Sequence, residues 1–164
     1  MVVCNLFEVI VNVSGDENPV VDFVIRTDLP PGTHIIYSTR RSYHGFDGEE
    51  SVWVGQNDRL IVSEAGECRG HIDISASDQE AAEHYRQINS GYSQTGISSP
   101  VSDTVELGFM VGGRQRLREF GRKNSELSGT LVTDRGGIKV VEVVRELRIP
   151  MKSTLQPTIA SAPA

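Results

Sequence analysis

The chain has 164 residues, of which 38% are hydrophobic and 23% are charged, values typical of a globular protein and too apolar for a disordered one. Its apolar runs are only a few residues long, so no segment is expected to span a membrane. The formal net charge of −6 argues against general affinity for nucleic acid. We therefore expect a single folded domain over 1–150 and a flexible tail over 151–164, where Ser, Thr, Ala and Pro dominate.

The start of the chain does not have the features of a secretion signal. Residues 1–13 lack a basic beginning and carry Glu8 and Asn12 within their apolar part. We expect the protein to be either cytoplasmic or exported after removal of a signal. Cys4 and Cys68 both lie in stretches with strand character, and buried free thiols are the favoured interpretation, with a disulfide left open.

Strand signals dominate the first half of the chain. In residues 7–13 and 21–25 apolar side chains alternate with their neighbours, a period of two that places one face of a strand on a core. The same character predicts further strands over 34–43, 51–54, 60–63 and 68–76. Asn57 and Asp58 are expected to form a turn between the two short strands.

A turn with a specific sequence separates the second and third strands. It reads Arg26-Thr27-Asp28-Leu29-Pro30-Pro31-Gly32-Thr33, in which proline fixes φ and glycine permits positive φ. With its flanking strands it resembles the immunoglobulin-like sandwiches of bacterial surface and periplasmic proteins, which often carry a T-x-L-P-x-G-T corner. The resemblance covers about 25 residues and implies a fold, without an activity or a functional residue.

One helix is predicted, over 77–90. Ser77 and Glu80 fit a capping box, in which the serine accepts a backbone hydrogen bond and the glutamate reaches back. Apolar residues then recur at helical spacing, and Ser90-Gly91 supplies a C-terminal stop. A helix of this length needs packing partners, so we expect it to lie against a sheet or to cover one end of the domain.

The second half returns to strands, expected over 105–111, 130–133 and 138–149, with a hairpin turn at 134–137. About seven to nine strands separated by turns, with one helix, predict an all-β fold. We expect an immunoglobulin-like sandwich of two antiparallel sheets, and a closed barrel is the main alternative.

The most distinctive feature of the sequence is a basic stretch over 114–123. It contains five bases and one acid, namely Arg114, Arg116, Arg118, Arg122 and Lys123 with Glu119, whereas residues 44–83 contain ten acids and two arginines. As a strand, the stretch would place its first three arginines on one face, and guanidinium groups suit carboxylates and phosphates. We expect a binding surface for an acidic protein or polyanion. The alternative is a solvated sheet edge that uses charge to prevent aggregation.

Two other groups of residues are weaker candidates. His71 and Asp73 lie two residues apart on one strand face, where an imidazole and a carboxylate can act as an acid–base pair. A metal would need a third ligand, and the spacing supplies none, so no metal site is predicted. The alternative interpretation is a polar outer face.

The loop over 43–47 is the third candidate. It places His44 and Phe46 beside a glycine, with Trp53 close in sequence, and aromatic loops are typical of recognition surfaces. In the alternative interpretation Phe46 and Trp53 cover the end of the core.

Catalytic motifs are missing from the sequence, as are nucleotide-binding glycine motifs, and no cofactor is predicted. We expect a non-catalytic binding module with a protein or acidic ligand, acting through the basic stretch, His44 and Phe46. One alternative is a metal-dependent or hydrolytic enzyme around His71 and Asp73. Another is a structural subunit of a bacterial surface or secretion assembly. Head-to-tail association of two copies through the acidic and basic regions is also left open.

Overall fold

The computed structural model describes residues 1–44, 48–89 and 101–156, with helix side chains described up to residue 86. Ten strands and one α-helix lie in these residues. The strands are β1 Val2–Val3, β2 Phe7–Ser14, β3 Val20–Thr27, β4 His34–His44, β5 Glu50–Ile61, β6 Glu67–Asp73, β7 Thr104–Val111, β8 Leu127–Ser128, β9 Thr133–Arg135 and β10 Ile138–Arg148. Helix α1 spans Ile74–Asn89, and short 3₁₀ helices span Arg118–Phe120, Arg122–Asn124 and Ser153–Leu155.

Eight of these strands form two antiparallel sheets. The larger sheet has the order β5-β4-β7-β10-β9 and the smaller one the order β2-β3-β6. The inward side chains of both sheets form one hydrophobic cluster, so the predicted two-sheet, all-β sandwich is confirmed. The strands β1 and β8 pair in parallel outside the two sheets. No helix in the described part of the chain is long and apolar enough to cross a membrane.

The core is centred on the ring of Phe23. This ring contacts Tyr37 and Phe109 edge to face, with centroid distances of 5.2 Å and 5.1 Å. It lies over Gly70, where a Cβ atom would come within 2.1 Å of the ring. Burying such a side chain contributes roughly 1.5–3 kcal/mol. The predicted alternation therefore identified the core face of these strands correctly.

Strand β5 differs from the prediction of two short strands. It is continuous from Glu50 to Ile61, and Asn57 and Asp58, expected to form a turn, pair with β4. The irregularity in this strand lies just before these two residues, at Gly55 and Gln56: Ser38 pairs with Asn57 and Arg40 with Val54, which leaves an extra residue on β5.

Helix α1 begins three residues before the predicted cap. The carboxylate of Asp73 accepts a hydrogen bond from the N–H of Ala76 at 3.1 Å, so Asp73 rather than Ser77 caps the helix. Ser77 is buried and faces the sheet, where its hydroxyl bonds Thr39 at 2.7 Å and accepts from the N–H of Gln56 at 2.7 Å. The predicted stop at Ser90-Gly91 lies outside the described residues.

A buried ion pair attaches α1 to the larger sheet. Arg41 donates to both carboxylate oxygens of Asp78, at 2.8 Å and 3.0 Å, and also to the carbonyl of Ser102 at 2.8 Å. Their side chains are only 2% and 10% exposed. Burial raises the pKa of Asp78, and the Arg41 guanidinium opposes that shift. The pair thus fixes the position of the helix on the sheet.

A second apolar cluster lies between α1 and β5. Trp53 is buried and stacks on Tyr85 at a centroid distance of 5.2 Å, and Met151 and Leu155 pack in the same cluster. Residues 151–156 are therefore in contact with the domain, whereas 157–164 lie outside the described residues. The prediction of a flexible tail remains a prediction.

The region before β10 differs from its predicted layout. The strand expected over 130–133 is replaced by β8, which ends before that range, and by β9, which begins at its last residue, Thr133. The hairpin turn is confirmed, since Arg135 pairs with Ile138 and both intervening glycines have positive φ, 62° and 86°.

Cys4 and Cys68 are buried, and each is a free thiol.

Candidate functional site

The basic stretch, 114–123, is not the strand that was predicted. Strand β7 ends at Val111, and the chain continues through an irregular segment into the 3₁₀ helices that begin at Arg118 and Arg122. The predicted alternation of exposed and less exposed side chains is nevertheless present, although the segment is not a strand. Arg114, Arg116 and Arg118 are exposed while the residues between them are half-buried.

Gln115 replaces the missing strand partner. Its side-chain carbonyl accepts a hydrogen bond from the N–H of His34 at 2.8 Å, and its amide donates to the carbonyl of His34 at 2.9 Å. This one side chain thereby satisfies both the N–H and the carbonyl of His34, which a longer β7 would otherwise have bonded with its backbone. This explains why the segment can leave the sheet at Val111 without exposing unpaired groups on β4.

Asn124 and Phe120 fix the far end of the segment. The Asn124 amide donates to the carbonyls of Gly112 and Lys139, both at 2.8 Å, and its backbone adopts a positive φ of 59° that asparagine tolerates. Phe120 is completely buried in the main core. The backbone under the basic side chains is therefore attached at three points, including Gln115.

The five basic side chains are exposed and carry unbalanced charge. None of the ion pairs in residues 1–44, 48–89 and 101–156 involves any of them. The acids within or next to the segment, Glu119 and Glu126, are exposed and form none of these ion pairs either. Arginine side chains without carboxylate partners on a fixed backbone can receive an external anion.

His34 and Arg59 extend this cationic surface onto the sheet. His34 begins β4 and is 7% exposed, and Arg59 lies on β5, opposite Ile36. Burial lowers the pKa of His34 below its ordinary value, and the positive charges of Arg59 and Arg116 lower it further. Three groups that can carry positive charge thus meet where β4, β5 and the basic segment come together.

The remaining predicted binding residues are not brought to this surface. His44 ends β4, ten residues after His34, which at about 3.3 Å per residue places it at the opposite end of the sandwich. Phe46 lies outside the described residues. Trp53 is 4% exposed, so it belongs to the core rather than to a recognition loop.

His71 and Asp73 do not form the proposed acid–base pair. The Nδ1 atom of His71 is 2.7 Å from a carboxylate oxygen of Asp22 on β3, while Asp73 caps the helix. Both members of the His71–Asp22 pair are more than half exposed. Within the described ranges, no three His, Cys, Asp or Glu side chains are grouped to hold a metal.

A cleft of about 450 Å³ lies between β5 and α1 and is separate from the basic surface. Its described lining is Val54, Gly55, Glu80, Glu83 and His84. His71 and Asp73 are not part of that lining, so the cleft does not join them to a binding pocket. The enzyme alternative remains a prediction.

Three residues of the cationic surface were missed by the sequence reasoning, namely His34, Arg59 and Gln115. Each is distant in sequence from at least one of the others, and no local pattern signals that they meet.

No protein-family model, curated protein or solved structure matched the chain when it was compared with them.

Proposed function

We propose that the protein is a non-catalytic binding module that recognises an acidic protein surface or a polyanion through the basic segment, 114–123. The observation that carries this proposal is the combination of five exposed cationic side chains and a backbone held by Gln115, Phe120 and Asn124. Because the backbone is already ordered, an anionic partner would lose less affinity to loop ordering than it would on a mobile segment.

The strand order supports the finer proposal that the sandwich is immunoglobulin-like. The first, second and fifth long strands form one sheet, and the third, fourth, sixth and last long strands lie together in the other. Immunoglobulin-like domains place strands A, B and E in one sheet and C, F and G in the other; the fourth strand here lies beside the third, as C′ does in variable-type domains, and not beside the fifth, as D does in constant-type domains. The basic segment then occupies the connection between the last two long strands, at the end where antibody variable domains bind antigen. This is support by analogy of fold.

Electrostatics supports an anionic partner despite the overall charge of −6. The Debye length is about 8 Å at physiological ionic strength, so a bound anion responds mainly to nearby charges. Residues 114–123 carry five bases and one acid, a local charge of +4. Binding should therefore weaken with salt, and the distant acidic residues should oppose it only slightly.

A charge-matched pair of variants tests the proposal. The first replaces Arg114, Arg118 and Arg122 with Gln, and the control replaces Arg26, Arg69 and Arg145 with Gln. All six arginines are exposed, and both variants have the same net charge. Each is compared with the wild type by retention on immobilised heparin across a salt gradient and by pull-down from the native lysate.

We expect the first variant to elute from heparin at lower salt than the control and to lose an acidic partner that the control retains. Equal elution of the two variants would show that only net charge matters and would refute a binding surface at 114–123. Circular dichroism spectra of both variants must match that of the wild type, because the substituted side chains are exposed.

A further inference from the structure

The cluster of His34, Arg59 and Arg116 is more specific than the rest of the basic surface. The three residues come from three different elements, β4, β5 and the basic segment. Neither arginine, nor the His34 imidazole, takes part in an ion pair among the described residues. Positively charged groups placed close together repel one another, and a bound anion would relieve that repulsion.

Strand register places two of the three groups side by side. Ile36 pairs with Arg59, and His34 and Ile36 are two residues apart on β4. The side chains of His34, Ile36 and Arg59 therefore point to the same, outer face of the larger sheet. His34 and Arg59 are then diagonal neighbours, which lie about 7–8 Å apart at their backbones, within reach of long side chains.

The third group is brought in by Gln115. Because this side chain is bonded to both backbone groups of His34, the backbone of the next residue, Arg116, is held close to the same histidine. The positive charges of both arginines add to the lowering of the His34 pKa, as expected for arginines that lie near this histidine. Asp58 is next to Arg59 on β5, but it pairs with Tyr37 and acts on that phenol, on the other face of the sheet.

We propose that His34, Arg59 and Arg116 form a binding site for a phosphate monoester group. Such a group carries a charge of about −1.5 to −2 at neutral pH and offers three acceptor oxygens. Two guanidinium forks and one imidazole N–H can bond these oxygens from different sides, a geometry that a planar carboxylate matches less well. The proposal rests on the proposed function, since it assigns the chemical class of ligand for part of that surface.

Histidine side-chain NMR with inorganic phosphate as the probe tests the site directly. The His34 resonance is assigned with His34→Gln and is titrated against pH with and without phosphate, at constant ionic strength. A bound dianion favours the protonated imidazole, so we expect phosphate to raise the pKa of His34 and to cause no comparable change in the other histidine resonances. Acetate at the same ionic strength is the control anion.

Arginine variants then locate the bound group. Arg59→Gln and Arg116→Gln should each weaken phosphate binding by roughly tenfold, the effect of one lost charge-assisted contact. Arg69→Gln is the matched control, since Arg69 is exposed on the smaller sheet, and should leave phosphate affinity unchanged. Equal weakening by all three substitutions would overturn the site, as would an unchanged His34 titration or an equal response to acetate.

Two phosphorylated probes distinguish the sources of the group. Phosphoserine represents a small molecule, and a phosphoserine peptide represents a modified protein. Competition of either probe with inorganic phosphate at His34 supports the site. The probe that binds more tightly identifies the source of the phosphate group. The triple variant that tests the basic segment retains Arg59 and Arg116. Loss of heparin retention and loss of phosphate binding are therefore independent results, and either proposal can fail alone.

Discussion

Asp78→Ala should destabilise the domain severely, because it removes the only carboxylate paired with the buried Arg41 in the described structure. The wild-type pair makes two charge-assisted hydrogen bonds, at 2.8 Å and 3.0 Å, with side chains 2% and 10% exposed. Charged hydrogen bonds contribute about 1.5–3 kcal/mol each, and breaking a buried pair typically costs about 3–5 kcal/mol. We expect a loss of about 3–5 kcal/mol in the free energy of unfolding.

Urea denaturation measures this loss. With a slope of about 2 kcal/mol per molar urea, the midpoint should fall by roughly 1.5–2.5 M. The control is Glu142→Gln, which breaks the exposed ion pair with Arg135 and should cost less than about 1 kcal/mol. Circular dichroism follows the secondary structure, and Trp53 fluorescence reports on the cluster beside α1.

A double substitution separates the pair from its surroundings. Arg41→Met combined with Asp78→Leu removes both charges, so it should be less destabilising than Asp78→Ala alone, although the carbonyl of Ser102 loses its donor. A cost below about 1 kcal/mol for Asp78→Ala would refute the view that a buried charge determines the loss of stability. Additive effects of Arg41→Met and Asp78→Leu in the double variant would also refute it.

Three further predictions concern a glycine, a histidine and the thiols. Gly55→Ala should cost about 1–3 kcal/mol, since the new Cβ would meet a buried hydroxyl of α1 at 2.1 Å, whereas Gly112→Ala, with its closest contact at 3.5 Å, should change the urea midpoint little. The lowered pKa of His34 means that the unfolded chain binds a proton first, so the stability contributed by the neutral imidazole is present above about pH 6.5 and is lost as pH falls toward the folded pKa. A pH series of urea titrations should therefore show that His34→Gln loses less stability between pH 7 and 5 than the wild type does. Burial raises the pKa of Cys4 and Cys68 to about 11, so a chromogenic thiol reagent at pH 8 should label neither until urea is added; rapid labelling of the native protein would contradict this.

Much of the sandwich could be predicted because alternation reports directly which side of a strand is buried. Val21, Phe23 and Ile25 alternate with exposed or half-buried neighbours, and all three are core residues. The start of the helix was less determined. Both Asp73 and Ser77 are good caps, and only the hydrogen bonds of Ser77 to the sheet decide between them. Those bonds depend on residues far away in the chain, so local sequence could not supply the answer.

The candidate site was predicted only in part for the same reason. The spacing of the arginines at 114, 116 and 118 correctly predicted that they are exposed. It did not correctly predict a strand, because a strand also requires a partner backbone. Gln115 provides those hydrogen bonds with its side chain, an arrangement without a sequence signature. The meeting of His34 with Arg59 depends on the pairing of β4 with β5, which turn-like residues in β5 concealed.

The parallel pairing of β1 with β8 has a consequence for the order of folding. Val2 lies opposite Leu127, and both are buried, so during synthesis Val2 reaches its final place only after a segment made much later has followed it. Contacts this distant in sequence slow folding, because a long loop must close before they form. During synthesis the two sheets can begin to associate while Val2 and Cys4 are still uncovered. A chaperone that binds short apolar segments would find its target at Val2 and Cys4 until residue 128 has been synthesised.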